Sequence, residues 1–379
     1  MVIGIEGNVH VGKTTYIKNN YKEFKVLSEN IFNSDLNDYD RQLDYINQEI
    51  SRKKELSSNT ILDRTILSIL IYTLHNNVLS KEEKRRICNI IKSKIAKKEV
   101  IIPDYINLII YPYKLICKNH SKLCKEKGTQ NTLVDYDYYL KYNSYFAKRS
   151  ESFDKVLSTG DYRQVLVYNN SIFNSAIDNI DLDSKVLLDG CPAIGKTTIG
   201  KKQKKYNYIE EFKYKRYTLD DYRNQIDSIV ERINVLDNKN ILLDTSFLMG
   251  ITHLFYNDKA SKKMKLEMVD EIISRVKLNS YITKIVYLML DKDKIIERKE
   301  KDRSKERLHF YDNLNYLDCE INFYRVLDKK LGKMSNISFI DASTSVDEII
   351  KKIESIEDKP LILIDLFYEI KEGIKGGEL

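Results

Sequence analysis

Apolar and polar positions along this chain alternate between two rhythms. Short, nearly continuous apolar runs rich in β-branched residues occupy 2–6, 24–28, 60–63, 106–111 and 164–167. They recur at 185–189, 206–209, 241–244, 284–290 and 337–340. Strands buried on both faces read this way. Between them lie longer stretches with helical spacing, such as Ile66, Leu67, Leu70, Ile71 and Leu74. Strands alternating with helices predict parallel sheets joined by right-handed crossovers. Thr344-Ser-Val-Asp-Glu-Ile, with Ser or Thr preceding acidic first-turn residues, predicts a capped last helix. The tail after Lys359 is apolar enough to dock, and no role is assigned to it.

The pattern repeats. Gly7-Asn-Val-His-Val-Gly-Lys-Thr14 and Gly190-Cys-Pro-Ala-Ile-Gly-Lys-Thr197 both fit G-x-x-x-x-G-K-[ST], 183 residues apart. The segment 36–46 aligns with 219–229 at the same offset, with six of eleven positions identical. Asp63 with its preceding apolar residues matches Asp244 at an offset of 181, and Tyr139-Leu140 matches Tyr316-Leu317 at 177. Four matches in one order with a drifting offset predict a duplicated domain with small loop insertions. The expected fold is therefore α/β: two tandem domains, 1–180 and 185–379, each a five-stranded parallel sheet flanked by helices. The boundary belongs at 179–184.

Both glycine-rich loops follow a predicted strand and open a predicted helix. In that context backbone N–H groups and the helix N-terminus form a nest for a triphosphate. The first loop comprises Gly7, Asn8, Val9, His10, Val11, Gly12, Lys13, Thr14 and Thr15. The second comprises Gly190, Cys191, Pro192, Ala193, Ile194, Gly195, Lys196, Thr197 and Thr198. Lys13 and Lys196 are placed to reach the outer phosphates, and Thr14 and Thr197 to hold Mg²⁺. Cys191 reads as a small space-filler rather than a reactive thiol.

The opening Ile5-Glu-Gly-Asn-Val-His-Val-Gly-Lys-Thr-Thr15 resembles that of the deoxynucleoside kinases, P-loop kinases close to the thymidylate kinases. The resemblance implies ATP as donor, Mg²⁺, and a nucleoside or nucleoside monophosphate as acceptor. It implies a carboxylate at the end of the second strand as general base for the sugar hydroxyl, which is Glu29 here. In the second copy the offset selects Glu211, with Glu210 a close rival. An alcohol is a weak nucleophile until its proton is accepted, hence the base. The family reads the base edge with a helical Gln, which points to Gln42 and Gln225. Tyr39 and Tyr222 lie three residues earlier on the same helical face. An acid, Arg and hydroxyl after the third strand match Asp63, Arg64 and Thr65, the acid for Mg²⁺ and the Arg for the transferred phosphate. The second copy has Asp244 followed by Thr245, which lacks the cationic fork. An Arg-rich lid after the fourth strand is well represented in the second copy by Arg298 and Arg303, with Glu306 placed to hold the sugar 3′-hydroxyl. The first copy has Lys118 and Lys122 where Arg is expected.

Composition adds limits. At 379 residues the chain is long for one core and comfortable for two domains. The net charge of +7 divides into +4 for residues 1–183 and +3 for the remainder. No basic tail marks a nucleic-acid partner, and the excess suits attraction of phosphorylated ligands. Five cysteines without metal-ligand spacing predict reduced thiols and a cytoplasmic setting. No apolar run reaches the roughly 18 residues of a membrane span. Three further functions remain open beside a deoxynucleoside kinase of thymidine or broad specificity. They are a thymidylate-type monophosphate kinase in one or both halves, one half that binds nucleotide without turnover, and a polynucleotide 5′-kinase, whose P-loop the second loop resembles. A homodimer or an internal pseudo-dimer is expected from the family. Tandem copies with AT-rich coding are reminiscent of large DNA viruses.

Overall fold

The computed structural model describes residues 1–129, 134–158, 162–174, 181–211, 222–256, 260–301 and 315–379, without the side chains of 158, 222, 223, 256, 299–301 and 315. Arg303, Glu306 and the side chain of Tyr222 lie outside the described residues, as does part of the 179–184 boundary. The chain divides into two compact units, Met1–Leu182 and Asp183–Leu379.

Unit 1 runs β1 (Val2–Glu6), α1 (Lys13–Asn20), β2 (Lys25–Leu27), α2 (Asp38–Arg52), β3 (Thr60–Asp63), α3 (Ile66–His75), α4 (Lys81–Ala96), β4 (Tyr105–Ile110), α5 (Tyr113–Lys127), α6 (Tyr136–Ala147), β5 (Phe153–Ser158) and β6 (Gln164–Asn169). Its sheet order is β2-β3-β1-β4-β6-β5. β2, β3, β1 and β4 pair in parallel. Their interior residues Ile5, Ile61, Leu62, Ile106 and Leu108 are fully buried, as strands covered on both faces require. The expected five parallel strands are not what forms here. The sheet has six, and β6 runs antiparallel to both β4 and β5. The cause is the connection: β5 and β6 are too close in sequence for a crossover, so they fold as a hairpin. The hairpin turns β6 around and starts it at the loop-bearing end of the sheet, where Gln164 faces Ile110.

Unit 2 runs β7 (Lys185–Gly190), α7 (Lys196–Lys202), β8 (Asn207–Ile209), α8 (Tyr222–Asn234), β9 (Ile241–Asp244), α9 (Phe247–Tyr256), α10 (Lys262–Arg275), β10 (Tyr281–Ile282), β11 (Lys284–Met289), α11 (Lys292–Lys301), α12 (Asn315–Leu331), β12 (Ile337–Asp341), α13 (Val346–Ser355), β13 (Leu361–Ile362) and α14 (Leu363–Gly376). Five parallel strands stand in the order β12-β11-β7-β9-β8. The capped helix predicted at Ser345 is α13, with a full capping box between Ser345 and Glu348. It is not the last. The tail pairs β13 with β10 and lays α14 against α10 and α12, burying Leu363, Ile364, Leu366, Phe367, Ile370 and Ile374. In both units the loop strand is central, and strand order reverses around it. Its carboxyl end therefore opens on the crevice where α/β sheets hold ligands.

Candidate active site

Each glycine-rich loop is bent into the same shape. Gly7, His10 and Gly12 have φ of 149°, 61° and 91°, and Gly190, Ala193 and Gly195 have 135°, 61° and 106°. The first glycine is obligatory by contact as well. A Cβ on Gly7 would lie 2.7 Å from the Ile109 carbonyl, and one on Gly190 2.8 Å from that of Leu288. Left-handed backbone at His10 and Ala193 stores strain of the kind found at ligand clamps. Inside each loop sits its lysine. Lys13 Nζ donates to the carbonyls of Gly7 at 3.3 Å and Asn8 at 3.2 Å. Lys196 Nζ does so to Gly190 at 2.6 Å and Cys191 at 3.1 Å. Burial pulls the Lys13 ammonium down to about 8, and nearby Arg64 pulls the same way. Asn8, Val11 and Ile194 are buried, whereas Val9, Thr14, Thr15 and Thr198 are exposed. Burial also pushes the Cys191 thiol up to about 12, an inert space-filler.

An acid at the end of each loop strand holds the neighbourhood together. Glu6 accepts from Thr65 N at 2.8 Å, Thr65 Oγ1 at 2.7 Å, Ser68 Oγ at 2.6 Å and the Tyr142 hydroxyl. Gly7 N in turn donates to Tyr142 at 3.1 Å. In unit 2, Asp189 accepts from Ser246 N and Oγ, both at 2.6 Å, and from the Tyr324 hydroxyl at 2.8 Å. The tyrosines in matching positions are thus Tyr142 and Tyr324. The aligned pair Tyr139 and Tyr316 instead packs differently in each unit, Tyr139 against Tyr113 and Tyr136 and Tyr316 against His253. The helix they sit on was aligned five residues out of register.

After β3 and β9 the backbone again turns left-handed, with φ 65° at Arg64 and 57° at Thr245. Buried arginines brace this turn. Arg52 reaches the carbonyls of Leu27, Asp63 and Arg64, and Arg232 those of Thr245 and Ser246. In unit 1 the turn aims the Arg64 Nε at Glu29 Oε1, 2.7 Å away, with NH1 3.2 Å from Ser68 Oγ. Lys13, Glu29, Asp63 and Arg64 therefore converge. Burial pushes the Asp63 carboxyl up, with Lys13 opposing, and its Oδ1 is buried without a hydrogen-bond partner.

Unit 2 arranges the equivalent groups differently. Asp244 Oδ2 accepts from Thr197 Oγ1 at 2.9 Å and the Tyr208 hydroxyl at 2.8 Å, and Oδ1 from Thr245 Oγ1 at 3.0 Å. By strand register Tyr208 is the unit 2 equivalent of Val26, and Glu211 that of Glu29. The rival Glu210 is ion-paired with Lys201 at 2.8 Å. The two glutamines diverge in the same sense. Gln42 is fully buried, and neither its Oε1 nor its Nε2 has a partner. Gln225 Nε2 donates to the Gly250 carbonyl at 3.3 Å. Tyr39 lies beside Arg86 of α4 rather than with Gln42. Tyr45, one turn after Gln42, is the residue that feels Glu29 and Tyr72.

The segments after the fourth strands, expected as lids, differ as well. Arg298 bridges the carbonyls of Ile194 and Ala342, 3.0 Å from each. On α5 the lysines are exposed, and Lys122 faces Glu126 at 3.8 Å. Contact with the first loop comes from Asn119, 3.2 Å from the His10 carbonyl, and from His120, 2.9 Å from His10 Nε2.

No family model matches this chain, and no curated protein does. Among solved structures it is similar to a deoxyadenosine kinase from M. mycoides with the products dCMP and a flexible dCDP bound. That match has 17% identity and a TM-score of 0.35, over 45% of this chain and 96% of the other. The same enzyme with bound dATP matches at 17% and 0.36, over 45% and 97%. A putative polyphosphate kinase 2 from Pseudomonas aeruginosa matches at 11% and 0.32, over 97% and 91%.

Five residues escape the motif reading. Glu6 and Asp189 were legible in principle, since both acids directly precede the loops at the repeat offset. Tyr142 and Tyr324 were hidden by the misaligned helix. Arg163, whose Nε donates to the Val11 carbonyl at 2.8 Å, carried no signal at all, because the antiparallel β5–β6 hairpin brings it to the loop.

Proposed function

We propose that this chain is an ATP-dependent kinase of deoxynucleosides, thymidine or several, and that unit 1 performs the transfer. The observation that carries this is Gln42, whose amide donor and acceptor are both buried and unpartnered. Burying an amide in that state costs about 1–3 kcal/mol, which a base edge offering one donor and one acceptor would offset. Asp63 Oδ1 is orphaned in the same unit.

On this reading Glu29 accepts the proton of the sugar 5′-hydroxyl as its oxygen bonds to the γ-phosphorus and the bond to the ADP oxygen breaks. Arg64, held by Glu29 and Ser68, and Lys13 stabilise the charge on the moving phosphoryl group. Asp63 and Thr14 fit a magnesium ion, the one through its unpartnered oxygen and the other through an exposed hydroxyl on the first turn of α1. Such an ion neutralises phosphate charge when bound. A neutral acceptor is favoured over a monophosphate because nearby cations are already engaged. Arg52 braces carbonyls, and Arg41 pairs with Asp38 at 2.7 Å.

Unit 2 supports a second role, nucleotide binding with little turnover. Both Asp244 oxygens and the Gln225 Nε2 are engaged internally, and Thr245 stands where unit 1 has Arg64. The test is transfer of label from γ-labelled ATP by the whole chain to thymidine, deoxycytidine, deoxyadenosine or thymidylate. Nucleoside monophosphates are the expected products. Label reaching none of these acceptors would sink the proposal, and label on thymidylate alone would replace it by the monophosphate kinase.

A further inference from the structure

Unit 1 has no arginine on α5, and the lysines there are exposed, with Lys122 facing Glu126. An arginine nevertheless reaches its loop. Arg163 Nε donates to the Val11 carbonyl at 2.8 Å, and its guanidinium lies over the Tyr111 ring, 4.7 Å from the centroid. Its NH2 would stand 3.1 Å from a Cβ on Gly12, the residue leading into Lys13. In unit 2 the carbonyl equivalent to Val11 is that of Ile194, and it accepts from Arg298 at 3.0 Å. One place on both loops is therefore filled by an arginine from unrelated elements: the lid helix α11 in unit 2, and the start of β6 in unit 1. The hairpin explains the exchange. Because β6 is antiparallel, its first residues arrive at the loop end of the sheet, whereas β12 is parallel and brings its last residues there.

We propose that Arg163 is the nucleotide-binding arginine of unit 1, taking the position that Arg298 holds in unit 2. Stacking on Tyr111 and the bond to Val11 hold the guanidinium plane at the loop, and a fixed fork of that kind suits the phosphates or base of a nucleoside triphosphate. The inference rests on nucleotide binding at the first loop, but not on the identity of the acceptor.

The experiment uses the full chain carrying Lys196→Ala, so that the first loop dominates nucleotide binding. Binding of ATP, AMP and tripolyphosphate is read from the rise in thermal midpoint and by equilibrium dialysis. Arg163→Gln is expected to raise the Kd for ATP at least tenfold, with little change in the midpoint measured without ligand. Arg163→Lys, which keeps charge and a donor for Val11, is expected to fall between. A parallel loss for tripolyphosphate assigns the contact to the phosphates; a loss for ATP and AMP alone assigns it to the nucleoside side. ATP affinity within twofold of the parent in the Lys variant, and in the Gln variant if it folds, overturns the proposal. Lost ATP binding in a chain that phosphorylates no nucleoside would instead defeat the acceptor reading and leave Arg163 in place.

Discussion

Two buried residues test these readings most directly, because each carries polar atoms that the fold itself does not satisfy. Gln42 is one. Gln42→Leu removes the cost of an unpaired buried amide, so the ligand-free chain is expected to gain about 1 kcal/mol in urea unfolding. The acceptor kcat/KM is expected to fall on the order of a hundredfold, since a site built to pair an edge loses that pair. Lower stability together with unchanged acceptor kinetics would make Gln42 a packing residue. Glu320 is the other. Its Oε1 accepts from Tyr287 at 2.6 Å, its Oε2 is buried without a partner, and burial raises the carboxyl to about 7. The folded state then holds a proton that the unfolded chain releases near pH 4.5. The contribution of Glu320 to stability is therefore largest below that pH and declines as pH rises towards 7, by on the order of 3 kcal/mol, with no further change above. Glu320→Gln should flatten that slope. An identical pH dependence of unfolding in parent and variant would show that Glu320 is not its source.

At the scale of elements, the C-terminal helix shows how a segment without motif becomes structural. The six apolar side chains that α14 buries stabilise by about 1.5–3 kcal/mol each, so on the order of 9–18 kcal/mol in all. That rivals the whole stability of a domain. Ending the chain after Pro360 should therefore expose the α10–α12 face and unfold unit 2 at ambient temperature, read by circular dichroism and dye binding. A truncated chain with an unchanged unfolding profile would mean the contacts are superficial. The strand pattern was legible to within a residue or two because buried strands need unbroken apolar runs. β5 was not, since Phe153–Ser158 mixes Asp and Lys into an edge strand. The short β10 and β13 gave no periodic signal for a different reason: two residues do not make a period.

For the molecule as a whole, the two units share a loop and differ in how they finish it. Unit 1 joins Lys13 to Glu29, Asp63 and Arg64; unit 2 closes Asp244 with Thr197, Tyr208 and Thr245. Loss of a contact to developing phosphate charge costs about 3 kcal/mol, roughly a hundredfold in rate. Lys13→Ala in the full chain should thus remove a hundredfold or more of the turnover, and Lys196→Ala much less. Equal losses would show that both loops serve the transfer. No described helix is long and apolar enough to cross a membrane.

The sequence alone determined the two loops, their strands and the acid–arginine pair at Asp63 and Arg64. These features are local: a glycine where φ must be positive, a lysine six residues on, an apolar run before it. Only the tertiary structure decided which groups remain unsatisfied, because a hydrogen-bond partner is set by packing and not by spacing. It also decided that β6 runs backwards, and through that reversal that Arg163 meets Val11. A strand's direction depends on which neighbours it can pair with, and that is a property of the assembled sheet.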